Sequence, residues 1–213
     1  MAKKNIIRVF EGFAGYGGAS FGLKKAKILH KVIGYSDIEQ EAIDLYEYNF
    51  PNIKNYGDIT KIEETKLPDF DLFTGGFPCQ PFSTVGKMLG ELDTRGTLFN
   101  DIIRICEYKK PRYILLENVK GLLGKKHRPT FDKIISELNR IGYKNVQYAI
   151  LNSKDYGVPQ NRERLWIFGQ LGGLPEGFVL EPPHVELKYR IKDFLDKKPS
   201  EDLYRTQAQI DRI

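Results

Sequence analysis

The sequence predicts an α/β fold built on a mostly parallel sheet with a final antiparallel strand. Three observations carry that prediction. Short apolar runs alternate with segments of helical periodicity along the chain, which is the pattern of strands joined by helical crossovers. The last two apolar runs are separated by a loop alone, at 152–160, which is too short for a parallel crossover and makes them antiparallel neighbours. The length, 213 residues, suits one core.

The elements follow in order. The run Ile6, Ile7, Val9, Phe10 predicts a first strand at 6–10, and a glycine-rich turn leads from it into a helix at 18–27. A strand at 31–36 and a helix at 39–49 come next. The run Phe70-Asp71-Leu72-Phe73-Thr74 is the third strand, and a helix at 97–109 carries Cys106 with the apolar spacing of a core face. A strand at 113–116 and a helix at 130–141 lead to the closing strands at 143–151 and 165–168. After Gly169 the texture changes to turn and linker, in Leu171-Gly172-Gly173-Leu174-Pro175-Glu176-Gly177 and Glu181-Pro182-Pro183-His184, and then to a thinly apolar, highly charged stretch. The expected organisation is a compact domain over 1–170 and a linker or tail over 171–213. There is no internal repeat and no low-complexity block.

Composition excludes several classes. It is that of an ordinary globular protein. Two cysteines without ligand spacing argue against a disulfide framework and a zinc site, so no metal is expected. They favour a reducing, cytoplasmic compartment. No apolar run reaches membrane-spanning length, and the N-terminus has no apolar signal core, so no membrane partner is expected. The formal net charge of +5 suits a polyanion. Of the basic clusters, Lys24-Lys25-Ala26-Lys27 and Lys109-Lys110 read as solvated faces. Lys125-Lys126-His127-Arg128 falls in a loop on the side where a site would form and is a candidate for phosphate contact.

In sheets of this kind, ligands bind beyond the carboxyl ends of the strands. There the most informative stretch is Gly76-Phe77-Pro78-Cys79-Gln80-Pro81-Phe82-Ser83. Flanking prolines fix the backbone around Cys79, and the glycines upstream permit close approach. A free cysteine is often no more than a small buried hydrophobe. This one is presented at the end of a strand, as a nucleophile would be.

The turn after the first strand, Glu11-Gly12-Phe13-Ala14-Gly15-Tyr16-Gly17-Gly18, lets a ligand lie against the backbone. It is neither a Walker A loop nor a dinucleotide fingerprint, because no Gly-Lys-Ser/Thr follows and the glycine spacing differs. Asp37, after the second strand, sits where nucleoside-binding folds accept from ribose hydroxyls. It reads equally as a cap for the next helix. Asp58, in Tyr56-Gly57-Asp58-Ile59, offers a second carboxylate beside an apolar residue. Together they suit adenosine without phosphate, which fits S-adenosylmethionine better than a nucleotide.

Four motifs in order, Phe13-Ala14-Gly15-Tyr16-Gly17-Gly18, Pro78-Cys79-Gln80, Glu117-Asn118-Val119 and Gln160-Asn161-Arg162-Glu163-Arg164, resemble the cytosine-C5 DNA methyltransferases over about residues 5 to 170. The resemblance implies a Rossmann-like, S-adenosylmethionine-dependent methyltransferase fold. It implies that Phe13, Ala14, Gly15, Gly17 and Gly18 hold the cofactor, Asp37 its ribose, and Ile38, Asp58 and Ile59 its adenine. Pro78 and Leu98 would complete that pocket. Cys79 would be the nucleophile, with Glu117, Arg162 and Arg164 holding the target cytosine and the catalytic loop. Gln80, Ser83, Asn118, Val119 and Gln160 would contact the substrate. Double-stranded DNA, base flipping, S-adenosylhomocysteine as product and a prokaryotic or phage restriction-modification context come with the same resemblance.

The implied chemistry explains the residue types. Cytosine C5 is a poor nucleophile until a thiolate adds to C6. The thiolate must be favoured by its surroundings. A carboxyl at Glu117, its pKa raised by burial, would serve N3 as charge develops there, and Arg164 would donate to O2. The sequence does not name the base that removes the C5 proton, a task water can perform. C6 is unreachable in a stacked duplex, so the base must be flipped out. Residues 83–90 have the composition of a mobile flap.

Two departures from the family stand out. Gly12 replaces an apolar residue, an exchange expected to loosen the first turn, and Asp37 replaces a more frequent glutamate. The family's target recognition domain and returning C-terminal segment have no counterpart in the sequence. The expectation is therefore a catalytic subunit or fragment that needs a second part. The alternatives are a non-catalytic module that binds S-adenosylmethionine or a partner, and a transfer-RNA cytosine-C5 methyltransferase.

Overall fold

The protein is described here by a computed structural model covering residues 6–78, 98–200 and 204–207. The chain runs β1 (Ile7–Gly12), α1 (Gly18–Lys25), β2 (His30–Ser36), α2 (Gln40–Asn49), β3 (Leu72–Gly76), α3 (Leu98–Lys109), β4 (Tyr113–Val119), α4 (Arg128–Arg140), β5 (Gln147–Asn152) and β6 (Glu163–Gln170). The strands form one six-stranded sheet in the order β2-β1-β3-β4-β6-β5. β1 pairs parallel with β2 and β3, and β3 with β4, whereas β4 pairs antiparallel with β6. The mostly parallel sheet with an antiparallel strand is thus the observed fold.

Each boundary that differs from the sequence reading has a local cause. The fifth strand starts at Gln147, because Gly142 (φ 105°) and Asn145 (φ 56°) turn the chain through left-handed backbone. Tyr143 is therefore no strand residue. It is fully buried and donates its hydroxyl to the Pro111 carbonyl at 2.7 Å. α1 stops at Lys25, two residues early, because Lys27 is left-handed (φ 57°). α4 begins at Arg128, ahead of the expected Thr130, since Pro129 fits the first helical turn, where no backbone N–H is needed.

The core lies between the sheet and α3 and α4. Phe10, Phe73, Ile114, Leu116 and Ile167 come from the strands, Phe99, Ile102, Ile105 and Cys106 from α3, and Phe131, Ile134 and Leu138 from α4. Cys106 is fully buried, and burial alone pushes its thiol well above the ordinary range, so it is an inert core residue. α1 and α2 are different: Ser20 and Tyr46 are their only buried residues. Ile6, Tyr16, Phe21, Ile28, Leu29, Leu45 and Tyr48, from the same part of the chain, are exposed apolar side chains.

By contact density the chain divides into Met1–Leu151 with Glu163–Pro182, and Asn152–Arg162 with Pro183–Ile213. Within the second unit, Asn152 organises the loop that precedes β6. Its amide donates to Asn161 Oδ1 at 2.7 Å, and its Oδ1 accepts from the backbone of Arg162 at 3.1 Å. Val185 donates to the Asp155 carbonyl at 2.8 Å. The residues beyond are thinly packed, with Leu187, Tyr189, Ile191, Phe194 and Leu195 exposed.

Candidate active site

Parallel pairing brings the carboxyl ends of four strands to one edge of the sheet. There the register sets Gly12 against Ser36 and Gly75, Gly76 against Glu117, Glu117 against Trp166 and Val119 against Arg164. The loops that follow β1, β2, β3 and β4 therefore leave side by side, and β6 enters at the same edge. Most of the residues singled out in the sequence sit in these loops.

The turn after β1 is built from left-handed backbone at Phe13 (φ 52°), Gly15 (φ 55°) and Gly17 (φ 89°). At Gly17 a side chain would strike the ring of Phe50, so glycine is required there for space as well as for φ. At Gly15, by contrast, the position of a Cβ is open, as it is at Gly57. Phe13 packs against the core. At Gly12 a Cβ would lie 2.8 Å from Phe73, so the missing side chain is what lets that ring close the end of β1. Beneath the turn, the carboxylate of Glu11 is buried and accepts from Ser20 Oγ at 2.7 Å and Tyr46 Oη at 2.8 Å. Burial raises the Glu11 pKa and these hydrogen bonds oppose the rise. One buried acid thus pins both α1 and α2 to β1.

Of the two roles the sequence left open for Asp37, its hydrogen bonds show the one at the helix start. Its Oδ1 accepts from the backbone of Ile38 at 2.8 Å and Glu39 at 3.0 Å, which prepares the start of α2. Its Oδ2 accepts from the Gly15 N–H at 2.7 Å, which ties the second loop to the glycine turn. Ala14 N–H adds a bond to the Ser36 carbonyl at 3.1 Å. Ile38, although apolar, is 68% exposed.

Asn55 was not singled out in the sequence, yet it joins this loop to the next. Its Oδ1 accepts from Asp37 N at 3.3 Å and Gly57 N at 2.9 Å, and its Nδ2 donates to the Asp37 carbonyl at 3.2 Å. The available signal was Asn55-Tyr56-Gly57, an Asn whose side chain bonds the backbone two residues on. Asp58 caps the 3-10 turn Ile59–Lys61, accepting from Thr60 N at 3.0 Å and Thr60 Oγ1 at 2.8 Å. These bonds hold its pKa below the usual carboxylate range. Ile59 is buried, so its side chain faces the core and only its backbone is left to face a ligand. Arg104 of α3 fastens this segment from behind. It donates to the Ile59 and Ile62 carbonyls at 3.1 and 2.7 Å, and pairs with Glu64 and with Asp101 at 3.0 Å. Leu98, the first residue of α3, is half-buried against the core.

At the end of β3 the backbone passes Phe77, which is buried, and Pro78, which is exposed. Cys79, Gln80, Ser83 and the flap at 83–90 lie outside the described residues. The approach to Cys79 is held by Asn118. This side chain is buried, donates to the Phe77 carbonyl at 2.9 Å and accepts from Val119 N at 2.8 Å. Its orientation was readable, because Ile114, Leu116 and Asn118 alternate on the buried face of β4. Val119 is 43% exposed.

Glu117 points to the opposite face of β4. It is half-buried, not buried as expected, and its Oε1 meets Arg164 Nε at 2.8 Å. A Cβ at Gly76 would come within 3.1 Å of Glu117 Oε2, so Gly76 keeps the carboxylate's space clear. Arg164 also donates to the Glu163 carbonyl at 2.8 Å, which fixes the guanidinium at both ends. Gln160 and Arg162 are exposed residues of the second unit. The Gln160 carbonyl accepts from Arg162 N at 3.0 Å, and the Arg162 carbonyl accepts from Ser153 N at 3.1 Å.

Among the described residues, no group of three or more His, Cys, Asp or Glu side chains could hold a metal ion, and no helix is long and apolar enough to cross a membrane.

Comparison with known proteins places this arrangement in context. A family model described as C-5 cytosine-specific DNA methylase matches residues 7–212. The Type II methyltransferase M.NlaIV of Neisseria lactamica is 38% identical over 224 aligned residues, covering 96% of this chain and 53% of that protein. The Type II methyltransferase M.SsoII of Shigella sonnei is 42% identical over 193 residues, covering 89% of this chain and 50% of that protein. This chain thus spans about half the length of these curated relatives. Among solved structures, the Dnmt2 methyltransferase of S. pombe superposes with a TM-score of 0.75 at 26% identity, over 97% of this chain and 66% of that one.

Proposed function

This chain belongs to the C-5 cytosine-specific DNA methylase family, and from that premise we propose that it is the catalytic core of an enzyme that methylates C5 of cytosine in double-stranded DNA through a bond between Cys79 and C6. The observation that carries the proposal is the shared edge of the sheet. The Glu117–Arg164 pair, the strand leading to Cys79 and the loops of Asp37 and Asp58 all lie at the carboxyl ends of β1 to β4.

The residues at that edge fit S-adenosylmethionine. The open space beside Gly15 and Gly57, the exposed Ile38 and two carboxylates make a cradle for a nucleoside with donor groups. Nothing in the turn resembles a phosphate site. Phe13, Ala14, Gly15, Gly17 and Gly18 would line the cofactor, with Leu98 and Pro78 beside it. Asp37 would accept from a ribose hydroxyl, Ile38 would cover the adenine, and Asp58 would accept from its amine. The backbone of Ile59 completes that recognition. When bound, S-adenosylmethionine supplies an electrophilic methyl on a sulfonium.

The chain's own groups prepare the cytosine. The Cys79 thiolate adds to C6, and the displaced electron pair moves toward N3. Glu117 meets that charge with a hydrogen bond or a proton, and Arg164 holds the carboxylate while it donates to O2. Once C5 carries the methyl, a base, for which water suffices, takes the C5 proton. The C6–S bond then breaks and the thiolate is restored. Asn118 acts at one remove, by fixing the Phe77 carbonyl before the nucleophile. By the resemblance of their motif, Arg162 and Gln160 would act on the substrate.

The exposed apolar side chains of residues 6–48, together with the thin burial of α1 and α2, support the further reading that a second part covers this face. That part, in the same or a separate polypeptide, would also carry target recognition.

Transfer of labelled methyl from S-adenosylmethionine to duplex DNA tests the proposal, with the chain alone and with the product of any neighbouring reading frame. Wild-type protein is expected to transfer and Cys79→Ser to lose transfer. Full transfer by Cys79→Ser refutes the mechanism. Full, sequence-specific activity of the isolated chain refutes the need for a second part.

A further inference from the structure

We propose that Lys125 and Lys126, between β4 and α4, bind backbone phosphates of the DNA beside the base presented to Glu117 and Arg164. The inference rests on the DNA reading above and assigns it a docking surface. Position is the first support. The chain leaves β4 at Val119, at the same edge as Glu117, makes the 3-10 turn Lys120–Leu123 and reaches α4 at Arg128. The loop is anchored on both sides, by Leu122 and Phe131, which are each 1% exposed. Backbone bonds from Gly124 to the Gly121 carbonyl at 3.0 Å and from His127 to the Gly124 carbonyl at 2.9 Å give it a defined course.

Charge compensation is the second support. Lys120 pairs with Glu163 at 3.0 Å and Arg128 with Asp132 at 2.9 Å. Lys125 and Lys126 are exposed, and neither makes an ion pair or side-chain hydrogen bond among the described residues. The third support is their place relative to helix dipoles. Lys24 and Lys25 lie in the last turn of α1, Lys109 in that of α3 and Arg140 in that of α4, where cations complement the helix. Lys125 and Lys126 precede the first turn of α4, which contains no acidic residue. Cations at that end are disfavoured by the dipole, and among the described residues no acidic side chain pairs with them. A polyanion crossing the edge of the sheet would do so.

The test is binding of the full chain to a labelled duplex, followed by fluorescence anisotropy across a range of salt concentrations. Each phosphate contact contributes about 0.9 to the slope of log affinity against log salt. Lys125→Ala/Lys126→Ala is expected to reduce that slope by about 1.8 and to weaken low-salt binding about tenfold, with cofactor affinity by calorimetry unchanged. Lys24→Ala/Lys25→Ala removes the same charge at the opposite edge and is expected to leave the slope intact. An unchanged slope in the first variant, or an equal fall in the second, overturns the assignment while leaving the methyltransferase reading standing. Absence of duplex binding even with the second part supplied, or a slope change confined to RNA, overturns the assignment together with its DNA premise.

Discussion

The Glu117–Arg164 pair shows how one residue's position can be read from sequence while its setting cannot. Glu117 and Arg164 are named by their motifs, but β4 and β6 pair antiparallel across residues far apart in the chain, and only that register puts their side chains 2.8 Å apart. Glu117→Gln keeps the size and removes the charge. It is expected to lower methyl transfer by about 10²–10⁴-fold with cofactor binding retained, as single-turnover kinetics and calorimetry would report. Asn118 carries the opposite lesson. Its motif suggested a substrate contact, whereas the alternation of β4 buries it under the Phe77 carbonyl. Asn118→Ala leaves that carbonyl without its partner, at a cost of about 1–3 kcal/mol, measurable as a loss of stability in urea.

At the scale of elements, the alternation of strands and helices was legible throughout, because each amphipathic period is written locally. The joints between elements were not. The Asn55 bond to Gly57 had a local signal, but the links from Asn55 to Asp37 and from Arg104 to the segment 59–64 run to backbone groups that no pattern in the sequence reveals. Because Arg104 supports the segment carrying Asp58 from behind, Arg104→Ala is expected to weaken S-adenosylmethionine binding several-fold. The Ile62 carbonyl loses its donor, at about 1–3 kcal/mol, while that of Ile59 keeps the Ile62 N–H at 3.4 Å, and Arg104→Lys is expected to restore part of the loss. Calorimetry on both variants decides this; equal cofactor affinity in all three proteins would remove Arg104 from the account.

For the whole molecule, opposed carboxylates set the response to pH. Hydrogen bonding to Arg8 lowers the pKa of Asp71, and Thr60 lowers that of Asp58. Their stabilisation is present above the ordinary carboxylate range and is lost as pH falls through their lowered values. Glu11 has the reverse sign. Its raised pKa gives a contribution that is complete below the ordinary range and lost as pH rises through the folded value. Glu11→Gln is therefore expected to flatten the decline in stability on the upper side of that range, in unfolding curves taken across pH. The whole-molecule property least legible in the sequence was the bare face of α1 and α2, since exposure depends on what packs against them and periodicity does not report it. The proposed covalent bond needs Cys79, the cofactor edge and a flipped cytosine together. Duplex DNA with 5-fluorocytosine at the target interrogates all of these at once, because fluorine at C5 cannot leave as a proton does and the C6–S bond persists. With S-adenosylmethionine present, and with the second part supplied if transfer requires it, mass spectrometry is expected to find the DNA joined to the peptide containing Cys79. Methylation of ordinary cytosine with no trapped adduct, or an adduct on another residue, would contradict the account.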